Sequence, residues 1–124
     1  MPEQSSQRAQ VRVFEDFADN SFTAQSGLLV AELRKPAEQV DEERVKRYRA
    51  DLLRVLEFLE RHLEGKEYIA GAFSLADLAF APRLLILPSL GVEVPAHLRN
   101  MLSWSERLKQ RPSVKQLQQE LAAL

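Results

Sequence analysis

Apolar residues in the first third of the chain return at steps of three and four. Val11, Phe14, Phe17, Ala18, Phe22, Gln25, Leu29 and Leu33 fall into one stripe on a 3.6-residue repeat, with Gln25 as its polar member. The pattern predicts a helix over about 8–34, preceded by a frayed or disordered stretch over 1–7. Gly27 lies inside that helix at a cost of about 1 kcal/mol relative to alanine, which points to a bend or a close helix contact there. Between residues 32 and 67 stand 10 acidic and 9 basic side chains, the composition of a solvated, mixed-charge helix. Val45, Tyr48, Leu52, Val55, Leu56, Leu59 and Leu63 supply its buried stripe, and Gly65 its stop. Leu53 and Phe58 fall off that stripe, so this helix meets neighbours on more than one side. Glu42–Lys46, Glu43–Arg47 and Glu57–Arg61 place acid four residues before base, each pair worth about 0.2–0.5 kcal/mol.

A third helix opens at Phe73-Ser74-Leu75-Ala76-Asp77-Leu78. Ser74 is placed to cap it, Asp77 stands at the reciprocal position of a capping box, and Phe73 and Leu78 occupy the positions of a hydrophobic staple. Aspartate replaces the usual Glu or Gln, and its shorter side chain still reaches the amide of residue 74. Pro82 removes a backbone hydrogen bond inside the helix and predicts a kink, and Gly91 ends it. A fourth helix is predicted from Pro95, turning Leu98, Met101, Leu102, Trp104 and Leu108 inward. A fifth starts at Pro112-Ser113, with Ser113 and Gln116 as a second capping box. No segment alternates as a strand does, and Val92-Glu93-Val94 is too short to change the class. The fold class is all-α, a bundle of about five helices over residues 8–124.

Composition narrows the function classes. The 124 residues, 45% hydrophobic and 28% charged, suit one globular domain with a core and leave no room for a second. The absence of cysteine excludes a thiol nucleophile, a disulfide and a thiolate metal site. Seventeen basic against eighteen acidic residues exert no long-range pull on nucleic acid or an anionic membrane. The start, Met1-Pro2-Glu3-Gln4-Ser5-Ser6-Gln7, lacks the basic and apolar parts of an export signal. Asp77, Pro82, Arg83 and Pro88 interrupt the most apolar stretch, so the expectation is a cytoplasmic chain without nucleic-acid or membrane partners.

Candidate chemistry is sparse. His62 and His97 stand in no metal-ligand spacing, and both read as surface residues; no metal site is expected. Ser74 has no second glycine for a nucleophile elbow and is accounted for as a cap. Arg44, Lys46, Arg47, Arg49 and Arg54 spread around one helix behind Asp41, Glu42 and Glu43, the order that suits a helix dipole on a solvated face. Phe14, Phe17 and Phe22 are either core or the lining of an apolar cleft. No catalytic residue is assigned.

The order of these signals resembles the helical carboxy-terminal domain of cytosolic glutathione S-transferases. Leu63, Gly65, Tyr68 and Gly71 precede the Ser74–Asp77 box as in that family, and Pro95, Leu98, Trp104, Arg107, Leu108 and Arg111-Pro112-Ser113-Val114 resemble its ending. The match runs over roughly residues 8–122. The resemblance implies a right-handed bundle in which Phe73, Ser74, Asp77 and Leu78 serve folding. It also implies that the first two helices form a wall for hydrophobic co-substrates and much of a dimer contact; by position that wall is Phe14, Phe17, Ser21, Phe22 and Gln25. In the family a preceding thioredoxin-like domain binds glutathione and activates its thiol, and nothing in these residues is identifiable as a substitute. No cofactor is expected in this chain, and glutathione only beside a thioredoxin-like partner. Three readings follow. The chain is the helical half of a transferase, a non-enzymatic interaction module that self-associates or holds a protein partner, or a stand-alone binder of small hydrophobic molecules.

Overall fold

The computed structural model describes residues 5–123. Helix α1 (Ser5–Phe17) runs through a π-helical turn (Ala18–Phe22) into α2 (Thr23–Leu33), so one long irregular rod replaces the uniform helix expected over 8–34. It opens at Ser5, inside the stretch read as frayed, while residues 1–4 of that stretch lie outside the described ones. A short 3₁₀ turn (Ala37–Gln39) leads to α3 (Glu42–His62); α4 (Leu75–Ile86) tightens into a 3₁₀ turn (Leu87–Leu90), and α5 (Arg99–Gln110) and α6 (Pro112–Ala122) complete the bundle. Two isolated bridges, Tyr68 with Gly71 and Ala70 with Ala72, pinch the loop before α4. The class is all-α, as the periodicity requires.

The core follows the predicted stripes, with informative exceptions. Val11, Phe14, Ala18, Phe22 and Leu29 are buried along the first rod, and Val45, Leu52, Leu56, Leu59 and Leu63 along α3. In α2 the buried face takes Ser26 and Glu32 where the apolar stripe named Gln25 and Leu33. Ser26 satisfies its hydroxyl on the Thr23 carbonyl at 3.1 Å. Glu32 is not part of a solvated face: its carboxylate meets Lys35 Nζ at 2.9 Å, the Asp41 amide at 3.3 Å and Arg44 at 3.7 Å, tying the end of α2 to the start of α3. The irregularity of the rod sits at 18–22 and not at Gly27, where an added Cβ would meet nothing within 4 Å. Leu102 points outward, 38% exposed. The three i,i+4 ion pairs expected on α3 do not close among the described residues; exposed side chains gain little from such pairing, and Arg44 and Arg54 find acids three residues away instead.

Helix ends are satisfied in four different ways. Asp41 caps α3, accepting from the amides of Glu43 at 3.0 Å and Arg44 at 3.2 Å. At α4 the box closes: the Ser74 hydroxyl accepts from Ala76 at 3.3 Å, and the Asp77 carboxylate accepts the Ser74 amide at 2.9 Å. Helix α4 continues through Pro82 to Ile86, and Gly91 closes the following turn at φ 75°, with the Arg49 guanidinium packed where its Cβ would be. Helix α5 begins at Arg99, four residues after Pro95, because its cap comes from α3: the Glu60 carboxylate accepts from Asn100 at 3.0 Å and Met101 at 2.7 Å. The expected Ser113–Gln116 box does not form. Proline at 112 holds Arg111 extended (ψ 136°), which makes Arg111 the N-cap and places Ser113 inside α6.

Asp77 does more than cap. Fully buried, its Oδ1 also accepts the Ile69 amide at 3.0 Å and the Trp104 indole N–H at 2.9 Å, and its Oδ2 lies 3.4 Å from the Ser74 hydroxyl. Trp104 stands edge-on to Phe80, and Phe80 packs on Phe22. One carboxylate therefore holds the loop, α4 and α5 together and orients the aromatic centre of the core.

Asp77→Ala leaves four donors without their acceptor, and each buried unsatisfied donor costs about 1–3 kcal/mol, so the expected loss exceeds about 3 kcal/mol. Urea midpoints check this, and a double variant with Trp104→Phe costs less than the sum of the two single changes. Glu60→Ala costs about 0.5–2 kcal/mol and speeds amide exchange at Asn100 and Met101; unchanged exchange there shows that the remote cap is not formed.

Candidate functional site

The five residues expected on the cleft wall are not equivalent. Phe22 is fully buried against Phe80, with ring centroids 5.5 Å apart, and belongs to the core. Phe14 is nearly buried, whereas Phe17, Ser21 and Gln25 are half-buried. The π-helical turn carries Ser21 and Phe22 and joins the helices of the other three. Gln25 Oε1 is buried and accepts no hydrogen bond, the only such side-chain atom among the described residues.

Phe14 and Phe17 meet an aromatic residue that the apolar stripe of α1 does not contain. Phe58 stacks beside Phe14 (centroids 6.3 Å) and meets Phe17 at a tilt (5.3 Å) while staying 43% exposed, and Val13, on the same helix as Phe14 and Phe17, is 63% exposed. Phe17 continues inward to Phe80 at 6.1 Å. The result is an aromatic patch between α1 and α3 that is open to solvent on its outer side. Phe58 was legible as an apolar residue off the α3 stripe; its pairing with α1 was not.

His62 also joins this cluster, contrary to the expectation of a surface histidine. Its ring lies 4.3 Å from that of Phe14, and Nε2 donates to the Ile69 carbonyl at 2.8 Å, since a carbonyl can only accept. Burial holds its pKa below the ordinary 6.5, with Lys66 acting in the same direction and the Ile69 bond opposing. His97 is exposed. Phe73 and Leu78 are both half-buried; the Phe73 ring meets Tyr68 edge-on at 5.4 Å and carries the Arg111 guanidinium 3.7 Å from its centroid.

Two surface concavities lie away from the patch. One, about 410 Å³, runs along α3 from Glu42 to Leu53; the other, about 290 Å³, lies between the 87–94 segment and α5, and neither is lined by any of the five wall candidates. Among the described residues no three His, Asp or Glu side chains group as metal ligands, and no helix is long and apolar enough to cross a membrane. The buried carboxylate of Asp77 is spent on structural donors. What the surface offers is an aromatic face, at Phe17 and Phe58, that is partly open to solvent.

This all-α architecture, with its aspartate-centred cap, defines a class of helical domain, and its sequence places it further. Residues 17–112 match the family model of the glutathione S-transferase C-terminal domain, and the chain belongs to that family. It is 32% identical over 72 residues to glutathione S-transferase 2 of Saccharomyces cerevisiae, a match covering 57% of this chain and 31% of that protein. It is 35% identical over 79 residues to the glutathione S-transferase-like protein OpS6 of Beauveria bassiana, covering 60% and 36% respectively. The chain thus matches about a third of the length of these curated relatives. The fold is similar to that of the theta class glutathione S-transferase from Xanthomonas axonopodis pv. citri, solved with glutathione bound: the TM-score is 0.82 at 20% identity, over 93% of this chain and 61% of that one.

A lowered histidine pKa makes the folded state bind fewer protons than the unfolded chain below pH 6.5. Stability from His62 is therefore full above that value and is lost as pH falls through it toward the folded pKa. The melting temperature is expected to fall between neutral pH and the mildly acidic range, with a smaller slope in His62→Gln. Equal slopes in both proteins assign the loss to other groups.

Proposed function

We propose that this chain is the helical half of a cytoplasmic glutathione transferase-type protein, supplying an apolar wall for hydrophobic co-substrates and a surface for subunit assembly. Glutathione binding and activation of its thiol belong, in this reading, to a thioredoxin-like domain or partner. The observation that carries it is the aromatic pair Phe17–Phe58, whose Phe58 stays 43% exposed. Exposed aromatic surface of this kind supports a binding role. Family membership supports the assignment, as does the buried Gln25 Oε1, an acceptor without a donor among the described residues that a ligand N–H or O–H would satisfy.

The same exposed residues favour a second reading, an interaction module without turnover. Leu28 and Leu75, 47% and 51% exposed, add apolar surface on α2 and at the start of α4, which a second copy or a protein partner would cover.

Glutathione conjugation to an aromatic electrophile tests the first reading. The chain alone is expected to stay at background and to gain turnover with a thioredoxin-like partner, and Phe58→Ala then raises KM for the electrophile several-fold without moving that for glutathione. Background rates with every such partner, together with a stoichiometric complex in native mass spectrometry, would instead establish the module. A rise in melting temperature with small hydrophobic ligands in the isolated chain would favour a stand-alone binder.

A further inference from the structure

The end of α5 faces the pinched loop before α4, and two arginines reach it from adjacent turns. The Arg107 and Arg111 guanidinium carbons lie 5.8 and 5.9 Å from the centroid of the Tyr68 ring, and Arg111 is also 3.7 Å from that of Phe73. Both side chains are half-buried. Their hydrogen-bonding capacity is largely unused. Arg107 spends Nε on the Glu67 carbonyl at 3.0 Å, Arg111 makes no side-chain hydrogen bond among the described residues, and neither guanidinium comes within 4.0 Å of a described carboxylate. Glu106, the nearest acid on α5, pairs with Lys109 at 3.6 Å, and Tyr68 contributes a hydroxyl that bonds to none of the described groups.

We propose that Arg107 and Arg111, held on the aromatic shelf of Tyr68 and Phe73, form a binding site for the oxyanion group of a small molecule, a carboxylate or a phosphate. A guanidinium held over an aromatic ring by cation–π attraction keeps N–H groups for other partners, the groups that grip an oxyanion in bidentate fashion. Much of the side-chain ordering that such binding requires is already present in the ring contacts and in the Glu67 bond. The shelf itself is stiff: the 68–72 bridges close the loop, the Ile69 amide is held by Asp77 and the Ile69 carbonyl by His62. A site on so constrained a support keeps its geometry without ligand. It is separate from the Phe17–Phe58 patch and shares no residue with it.

The test is a titration of the ¹⁵N-labelled chain with sodium phosphate and, separately, sodium acetate, at constant ionic strength against sodium chloride. Expected are saturable shifts of the Arg107 and Arg111 Nε–H resonances and of the Tyr68–Phe73 amides. Affinity falls about tenfold or more in Arg107→Gln and in Arg111→Gln. Tighter phosphate than acetate identifies a phosphorylated ligand, and the reverse a carboxylate. The Trp104 indole N–H resonance reports whether each variant keeps the Asp77 network. Arg111→Lys, which keeps the charge and loses the planar fork, serves where a Gln variant does not fold; it is expected to bind more weakly than the parent. Shifts indistinguishable from those with chloride, or affinity unchanged in folded variants, would overturn the proposal and leave the two arginines as loop clamps.

Discussion

A single buried carboxylate organises this bundle. Asp77 sits in the apolar interior and accepts from the Ile69 and Ser74 amides and the Trp104 indole, with the Ser74 hydroxyl in reach. A carboxylate has about four lone-pair sites, so this is near its full capacity. The donors belong to two stretches of chain far apart in sequence: the pinched loop where it runs into the first turn of α4, and the middle of α5. Any other packing of these pieces strands polar groups in the core, and that penalty selects one arrangement. Trp104, held by this bond, meets Phe80 edge-on, and Phe80 in turn touches Phe22 and Phe17. The polar hub and the aromatic centre are one structure.

The same rule, that helix-end amides must find acceptors, explains how the other helices are placed. Asp41 serves α3 locally. Glu60 serves α5 across 40 positions of sequence, fixing where α5 begins against α3. Glu32, reaching Lys35, Asp41 and Arg44, closes the turn between α2 and α3. Acids that appear solvated when only their charge is considered are thus the joints of the bundle.

A scaffold held from within in this way leaves its outer faces free to bind. The open side of the Phe17–Phe58 pair is apolar and suits an aromatic or aliphatic surface; the Arg107–Arg111 corner is cationic and suits an oxygen-rich anion. Within a glutathione S-transferase C-terminal domain, the proposed division of labour gives the reactive thiol to another domain and the shaping of the second binding surface to these helices. The π-helical turn between α1 and α2 lies where that surface begins, a place where such turns commonly accompany function.

Local pattern was enough for much of this. Helical period defined the all-α class and the buried stripes of Val45–Leu63 and Val11–Leu29, and cap residues at their spacing the Ser74–Asp77 box, because each depends on residues within one or two turns of one another. The family resemblance rested on the order and spacing of the box with the motifs before and after it. Other features were decided by tertiary contact. Glu60 as the cap of α5, Glu32 as a buried joint, His62 packed on Phe14, and Trp104 bonded to Asp77 all join residues whose separation in sequence carries no periodic signal. The candidate wall divided for the same reason: Phe14, Phe17 and Phe22 look alike on a helical wheel, and only the approach of Phe58 and Phe80 from α3 and α4 makes one core and another surface. Short-range geometry is written in the spacing of side chains, whereas the partner of a polar or aromatic group is chosen only when the helices pack.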